Sequence, residues 1–197
     1  NYLYCLTVAD VSATNPNLWN SWNASLLRQL YDRTKLYFRD SILLNNSIEE
    51  QKSKALKLIK KYKSSEIENL WDRFYPDYFE GSDHFDLSQH AEIILSSKQE
   101  TIVEMIEQDK ESLSSIFIHT KDRANLFATI VGILDSENIN FIDAKLYGMK
   151  NGFCTDLITI SDQGNKVDLE STKAKVLIDK LNQALNEKVL KPKIVKK

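Results

Sequence analysis

This chain is short of cysteine, of net charge and of long apolar runs, and each shortage excludes a class of protein. Its two cysteines, Cys5 and Cys154, lie far apart and in no C-x-x-C pair. That excludes a disulfide framework and a zinc ribbon, and suits two reduced, mostly buried thiols in a cytoplasmic protein. Lys+Arg 26 against Asp+Glu 28 leaves a formal charge of −2 and a pI near 6.0. No nucleic-acid or membrane partner is expected from that balance. The only basic cluster, five lysines within positions 188–197, has no interleaved aromatics and reads as a solvated tail. No stretch approaches the roughly 18 apolar residues of a membrane span, and no signal-peptide pattern opens the chain. With 5 glycines there is no glycine-rich phosphate loop, no G-x-S-x-G elbow and no Ser/His/Asp order.

What is present is ordinary for a soluble protein, 42% hydrophobic and 27% charged residues, in a length that holds one to two domains with a real core. Residues 115–162 organise the rest. Ile116 to Thr120 alternates like a strand, and Lys121-Asp122-Arg123 breaks it. Leu126, Phe127, Ile130, Val131 and Leu134 then recur at helical spacing, and Asn138 is a helix stop. A second strand is expected over 140–147, with Ile142, Ala144 and Leu146 on one face. Asn151-Gly152 signals a hairpin with both turn residues at φ > 0, and a third strand over 153–160 returns from it. A helix over 169–185 carries Ala174, Leu177, Ile178, Leu181 and Leu185 on one face. One more strand would complete a ferredoxin-like βαββαβ unit, with both helices on one face of an antiparallel sheet. Pro192 interrupts the candidate, 189–195, and 101–106 reads as a strand leading into the unit.

The first half is helical. Leu3, Leu6 and Asp10 share one face of a short helix over 1–13; a carboxylate there needs a partner. Asn15-Pro16 has the form of a helix start, N-cap then N1. A long helix over 16–44 carries a stripe of Leu18, Trp22, Leu26, Leu30 and Tyr37, widened by Trp19 and Leu27, until Asn45-Asn46 ends it. Ser47-x-x-Glu50 and Ser65-x-x-Glu68 resemble capping boxes for two further helices. Leu56 and Ile59 share a face of the first; Leu70, Trp71 and Phe74 belong to the second, and Pro76 breaks the pattern. Residues 81–86 are a loop, with a helix starting at Asp86 or Ser88. Asp83, His84 and His90 match no metal-ligand spacing, and His90 is expected to pack or hydrogen-bond. Asn1 is not Met, and 1–6 already run in helical pattern, so an internal segment of a longer protein is expected.

The order strand, helix, strand, strand, helix fits the ACT domain, a small ligand-sensing module. Asp122-x-x-x-Leu126-Phe127-Ala128, Asn138-x-Asn140-x-x-Asp143-Ala144 and Asn151-Gly152-x-x-x-Asp156 resemble motifs in the first ACT domain of the bacterial bifunctional PII uridylyltransferase/uridylyl-removing enzymes. The run LTVADVSATNPNLWNSWNASLLRQLY is similar to the end of that family's HD hydrolase domain, and 75–79 to its segment after that domain. One departure is Asn125, where many ACT domains place a glycine in the first loop; Asn tolerates the left-handed conformation better than most residues.

The resemblance implies an α+β chain of three parts. Residues 1–44 would end the HD domain, 45–99 form a helical connector, and 100–197 form the ACT domain. The parent enzyme would attach UMP from UTP to the PII signal protein and remove it with Mg²⁺ or Mn²⁺, using Asp10 as its last metal ligand. The other ligands and the nucleotidyltransferase motif are missing here, so this segment alone is expected to be inactive and to hold no tight cofactor. Glutamine would be the effector, bound by Asp122, Arg123, Asn125, Leu126, Asn140 and Asp143, with a second ACT domain or self-association covering the sheet edge. Two rivals remain: an ACT sensor on an unrelated HD phosphohydrolase of nucleotide-alarmone metabolism, and a connector whose ACT unit binds nothing.

Overall fold

Elements form where apolar periodicity changes between about 3.6 and 2 residues. A computed structural model describes residues 2–14, 21–39, 41–107, 114–163, 165–187 and 189–190. It divides the chain into two units, 1–50 and 51–197. The first contains α1 (Tyr2–Thr14), α2 (Ser21–Arg39) and the start of α3 (Ser41–Leu58). The expected helix start at Asn15-Pro16 lies outside the described residues, as do Leu18 and Trp19. Tyr4 packs on Tyr31 at 4.9 Å between ring centroids, and Arg28 pairs with Asp32 at 3.1 Å. On the expected apolar faces Leu3 is 77% and Leu6 67% exposed, and Leu26 and Leu30 are exposed as well. Cys5 is likewise exposed, whereas Cys154 is buried.

Asn45-Asn46 does not end a helix, and Ser47 does not begin one. α3 runs through all three, because Asn and Ser each cost well under about 1 kcal/mol inside a helix and break nothing by themselves. Ala55 near the end of α3 and Ile59 just past it are buried. α4 (Ser64–Trp71) starts before Ser65, with Glu66 accepting the Lys63 N–H at 2.9 Å. Pro76 opens α5 (Pro76–Glu80) instead of only breaking the pattern, since N1 needs no N–H. α6 (His84–Ser96) begins before Asp86: the Asp83 carboxylate accepts from the Phe85 and Asp86 amides at 2.9 and 3.1 Å and caps it.

The sheet contains β1 (Ile102–Glu107), β2 (Ser114–Lys121), β3 (Asn140–Gly148) and β4 (Phe153–Ser161), all antiparallel in the order β1-β2-β4-β3. The fold is α+β and ferredoxin-like, but β1, ahead of the unit, fills the place beside β2 that a strand after the last helix would take. The Pro192 segment lies outside the described residues. α7 (Leu126–Ser136) and α8 (Thr172–Leu185) cover one face, burying Ile116, Ile118, Ile130, Leu134, Ile158, Ile160, Leu177 and Leu181 in one cluster. α8 starts later than expected because Ser171 Oγ caps it, accepting from the Ala174 amide at 3.1 Å.

The other face is covered too, which the one-sided expectation missed. Phe117 and Leu157 pack with Ile93 from α6, and Tyr147 meets Tyr78 edge-on at 5.2 Å. His90 Nδ1 lies 3.1 Å from the Tyr78 hydroxyl, as its place on a buried helix face led us to expect. No helix among the described residues is long and apolar enough to cross a membrane.

α7 ends at Glu137 followed by Asn138 at φ 53. The Ile139 and Asn138 amides return to the Leu134 and Asp135 carbonyls at 3.0 and 3.1 Å, a Schellman close. In the hairpin only Gly152 has positive φ; Gly152 N–H bonds the Met149 carbonyl at 3.1 Å. The turn is therefore a type I turn followed by a left-handed glycine, in place of two left-handed residues.

Candidate ligand-binding site

Where β2 ends, Asp122 and Arg123 lead into Asn125, which adopts φ 67 and ψ 10 at the N-cap of α7 without a side-chain cap bond. The left-handed turn foreseen at this Asn is present. It leaves the first turn of α7 open. The Leu126 and Thr129 amides bond the Arg123 and Asn125 carbonyls at 3.2 and 2.9 Å. The Phe127 and Ala128 amides have no partner among the described residues. Free amides at the positive end of a helix favour an anion.

A cleft of about 310 Å³ opens there. One wall is the segment from Asp122 to Ala128; the other is Leu146, Tyr147 and Gly148 from the end of β3 with Cys154 and Asp156 from the start of β4. Four of the six residues expected to bind ligand, Asp122, Arg123, Asn125 and Leu126, are brought together. Asn140 and Asp143 are not part of this lining. α7 is 11 residues long and carries the chain about 16 Å away before β3 begins. Asp143 pairs with Thr159 and, by alternation, shares the face of Lys145 and Tyr147, away from α7.

Arg123 anchors the cleft. Its two terminal nitrogens donate to the Leu185 and Glu187 carbonyls at 2.6 and 2.7 Å, closing the C-terminal end of α8, while its Nε–H has no partner among the described residues. Cys154 is pushed up to about 12 by burial, then by Asp156 and Asp122, so it is a neutral thiol. Asp156 is pushed up to about 7, first by burial and then by Asp122. Asp156 belongs to the hairpin motif but was missed as a site residue; its signal was a lone acid in the apolar strand FCTDLITIS.

Asp10 is exposed on α1. Among the described residues no three His, Cys, Asp or Glu side chains gather into a metal site. One carboxylate does not make a divalent site, so any metal there needs ligands from outside this group.

Comparison with known proteins bears on the whole chain. The chain is similar to a segment of bifunctional uridylyltransferase/uridylyl-removing enzymes. It is 37% identical over 182 residues to the one from Vibrio vulnificus (strain YJ016), covering 88% of this chain and 21% of that relative. It is 35% identical over 194 residues to the Vibrio cholerae enzyme, covering 94% and 22%. With the Idiomarina loihiensis enzyme it shares 32% over 201 residues, covering 98% and 23%. The chain thus spans about a fifth of the length of these uridylyltransferase relatives. No family model matches.

Proposed function

We propose that this chain is the regulatory segment of a cytoplasmic enzyme that attaches UMP from UTP to the PII signal protein and removes it again. In this reading the sheet is an ACT domain that senses glutamine, and 1–44 close an HD hydrolase domain. Asp10 supplies one ligand to a Mg²⁺ or Mn²⁺ whose other ligands lie elsewhere in the enzyme. That ion would activate the water that releases UMP. The similarity to bifunctional uridylyltransferase/uridylyl-removing enzymes favours this over an HD phosphohydrolase of nucleotide-alarmone metabolism.

The observation that carries the sensing part is the cleft at the start of α7. Two free amides there suit a carboxylate, and about 310 Å³ suits an amino acid. Asn125 can pair with a side-chain amide. Asn140 and Asp143 then contribute from a second ACT domain, docked on the β3 edge where Phe127, Phe141, Ile142 and Leu146 are exposed. In the full-length enzyme, the glutamine concentration for half-maximal control should rise at least about tenfold in Asp122→Ala, a coupling loss of ~1.4 kcal/mol. An unchanged dose-response rejects the site.

A further inference from the structure

Asp156 is 4% exposed in the middle of an isoleucine face. Its cross-strand neighbours are Ile118 and Leu146, and Ile158 and Ile160 follow it on the same side of β4. A buried carboxyl is normally held by several donors. Here the only one among the described residues is the Cys154 thiol, at 4.0 Å from Oδ2, the outer limit for a sulfur donor. Asp156 lines the same cleft as Asp122, Phe127 and Ala128, and the Phe127 and Ala128 amides are free among the described residues. The cavity therefore has an acidic pole that lacks a partner and an amide pole that lacks an anion.

We propose that Asp156 receives the ammonium group of a zwitterionic α-amino acid whose carboxylate rests on the Phe127 and Ala128 amides, so the cleft selects amino acids over simple carboxylates. This rests on the sensing reading of the same cleft and assigns its charge recognition. Arg123 also lines the cleft, with its terminal nitrogens pinned to the Leu185 and Glu187 carbonyls. The ionisable groups lining the cleft with Asp156 are Asp122, Arg123, Cys154 and Tyr147; the first turn of α7 adds none. Near pH 7 the empty site is partly protonated, because burial and then Asp122 raise Asp156 to about 7. An arriving ammonium group takes the carboxylate, and the proton leaves to solvent.

The test is calorimetry on this 197-residue chain with a panel of neutral α-amino acids including glutamine, and with the deamino analogue of glutamine, which keeps the carboxylate and the amide. Glutamine should bind at least about tenfold tighter than the analogue, and tighten by up to about tenfold from pH 6 to 7.5. In Asp156→Asn both the preference and the pH dependence should vanish. Should that variant fail to fold, Asp122→Asn serves instead: it should move the pH midpoint of binding downward, and an unmoved midpoint overturns the proposal. Asp156→Asn binding glutamine like wild type also overturns it, and leaves the sensing reading standing. Binding of another amino acid, lost in Asp156→Asn, supports it and removes glutamine. No binding of any α-amino acid overturns the proposal, and the sensing reading is then decided by the Asp122→Ala dose-response in the full-length enzyme.

Discussion

On one face of the sheet Ile116, Ile118, Ile158 and Ile160 meet the aliphatic side chains of α7 and α8. On the other, Phe117 lies 4.8 Å from the His90 ring, and His119 stacks on Phe153 at 5.2 Å. Tyr78 and Tyr147 meet beside them, with Phe74 stacked on Tyr78 at 3.9 Å. Both faces bury ionisable groups but treat them differently. On the connector face each histidine has one close polar contact, His90 Nδ1 with the Tyr78 hydroxyl and His119 Nδ1 with Thr155 at 2.9 Å, while His90 Nε2 has no partner among the described residues. The α7/α8 face leaves Asp156 with a weak thiol contact, beside an open cleft. Paired buried polar groups hold a fold together, whereas a buried acid without strong partners points to a partner from outside.

The largest test asks whether the connector face is core or cover. Phe117 is fully buried. Phe117→Ala should cost ~3–5 kcal/mol in urea unfolding, as a core aromatic does. A loss under ~1 kcal/mol would mean the connector helices only cover the sheet.

The second test uses the opposite signs of the two faces. His90 is pulled down to about 3 by burial and then Lys145, and His119 to about 4 by burial and then Arg73. Both folded values lie below the unfolded value, so their stabilisation is present above about pH 6.5 and lost as pH falls. Asp156, raised to about 7, works the other way: its contribution is full below about pH 4 and lost as pH rises through 7. Between pH 6.5 and 5 the two histidines outweigh the one acid, so wild type should lose about 1.5 kcal/mol. Asp156→Asn removes the opposing group, and its loss should be about twice that. Parallel pH profiles for the two proteins would break the contrast.

The smallest test probes the contact between connector and sheet. A Cβ at Gly81 would meet the Tyr147 hydroxyl at 2.3 Å, and φ there is −92, so the obstacle is steric and not conformational. Gly81→Ala should cost ~1–3 kcal/mol, and Tyr147→Phe in the same chain should recover part of it. Additive losses would show that the two residues do not meet.

Local chemistry was legible in the sequence. The sequence marks Asn125 as suited to left-handed backbone and Asn138 as a helix stop, and both have positive φ. β2, β3, β4, α7 and α8 stand within a few residues of the spacing that announced them. Asn45 to Ser47 misled because a cap residue acts only where neighbouring backbone leaves the helix, and here it does not. In the site, Asp122 to Leu126 are consecutive and were read as one group. Asn140 and Asp143 are suggested by the motif and their side-chain chemistry; they do not line this cleft, because a helix carries the chain away along its axis before β3 begins.

By itself the sequence determined β2, β3, β4, α7 and α8, the left-handed residue at Asn125 and the loop that opens the cleft, because these depend on neighbours within about four residues. Tertiary structure alone decided that β1 takes the place beside β2, that α6 covers the second face, and that Asp156 lines one cleft with the start of α7. Those contacts join residues tens of positions apart. They follow from which apolar faces bury each other and from which edge of the sheet is open, and no local pattern contains that information.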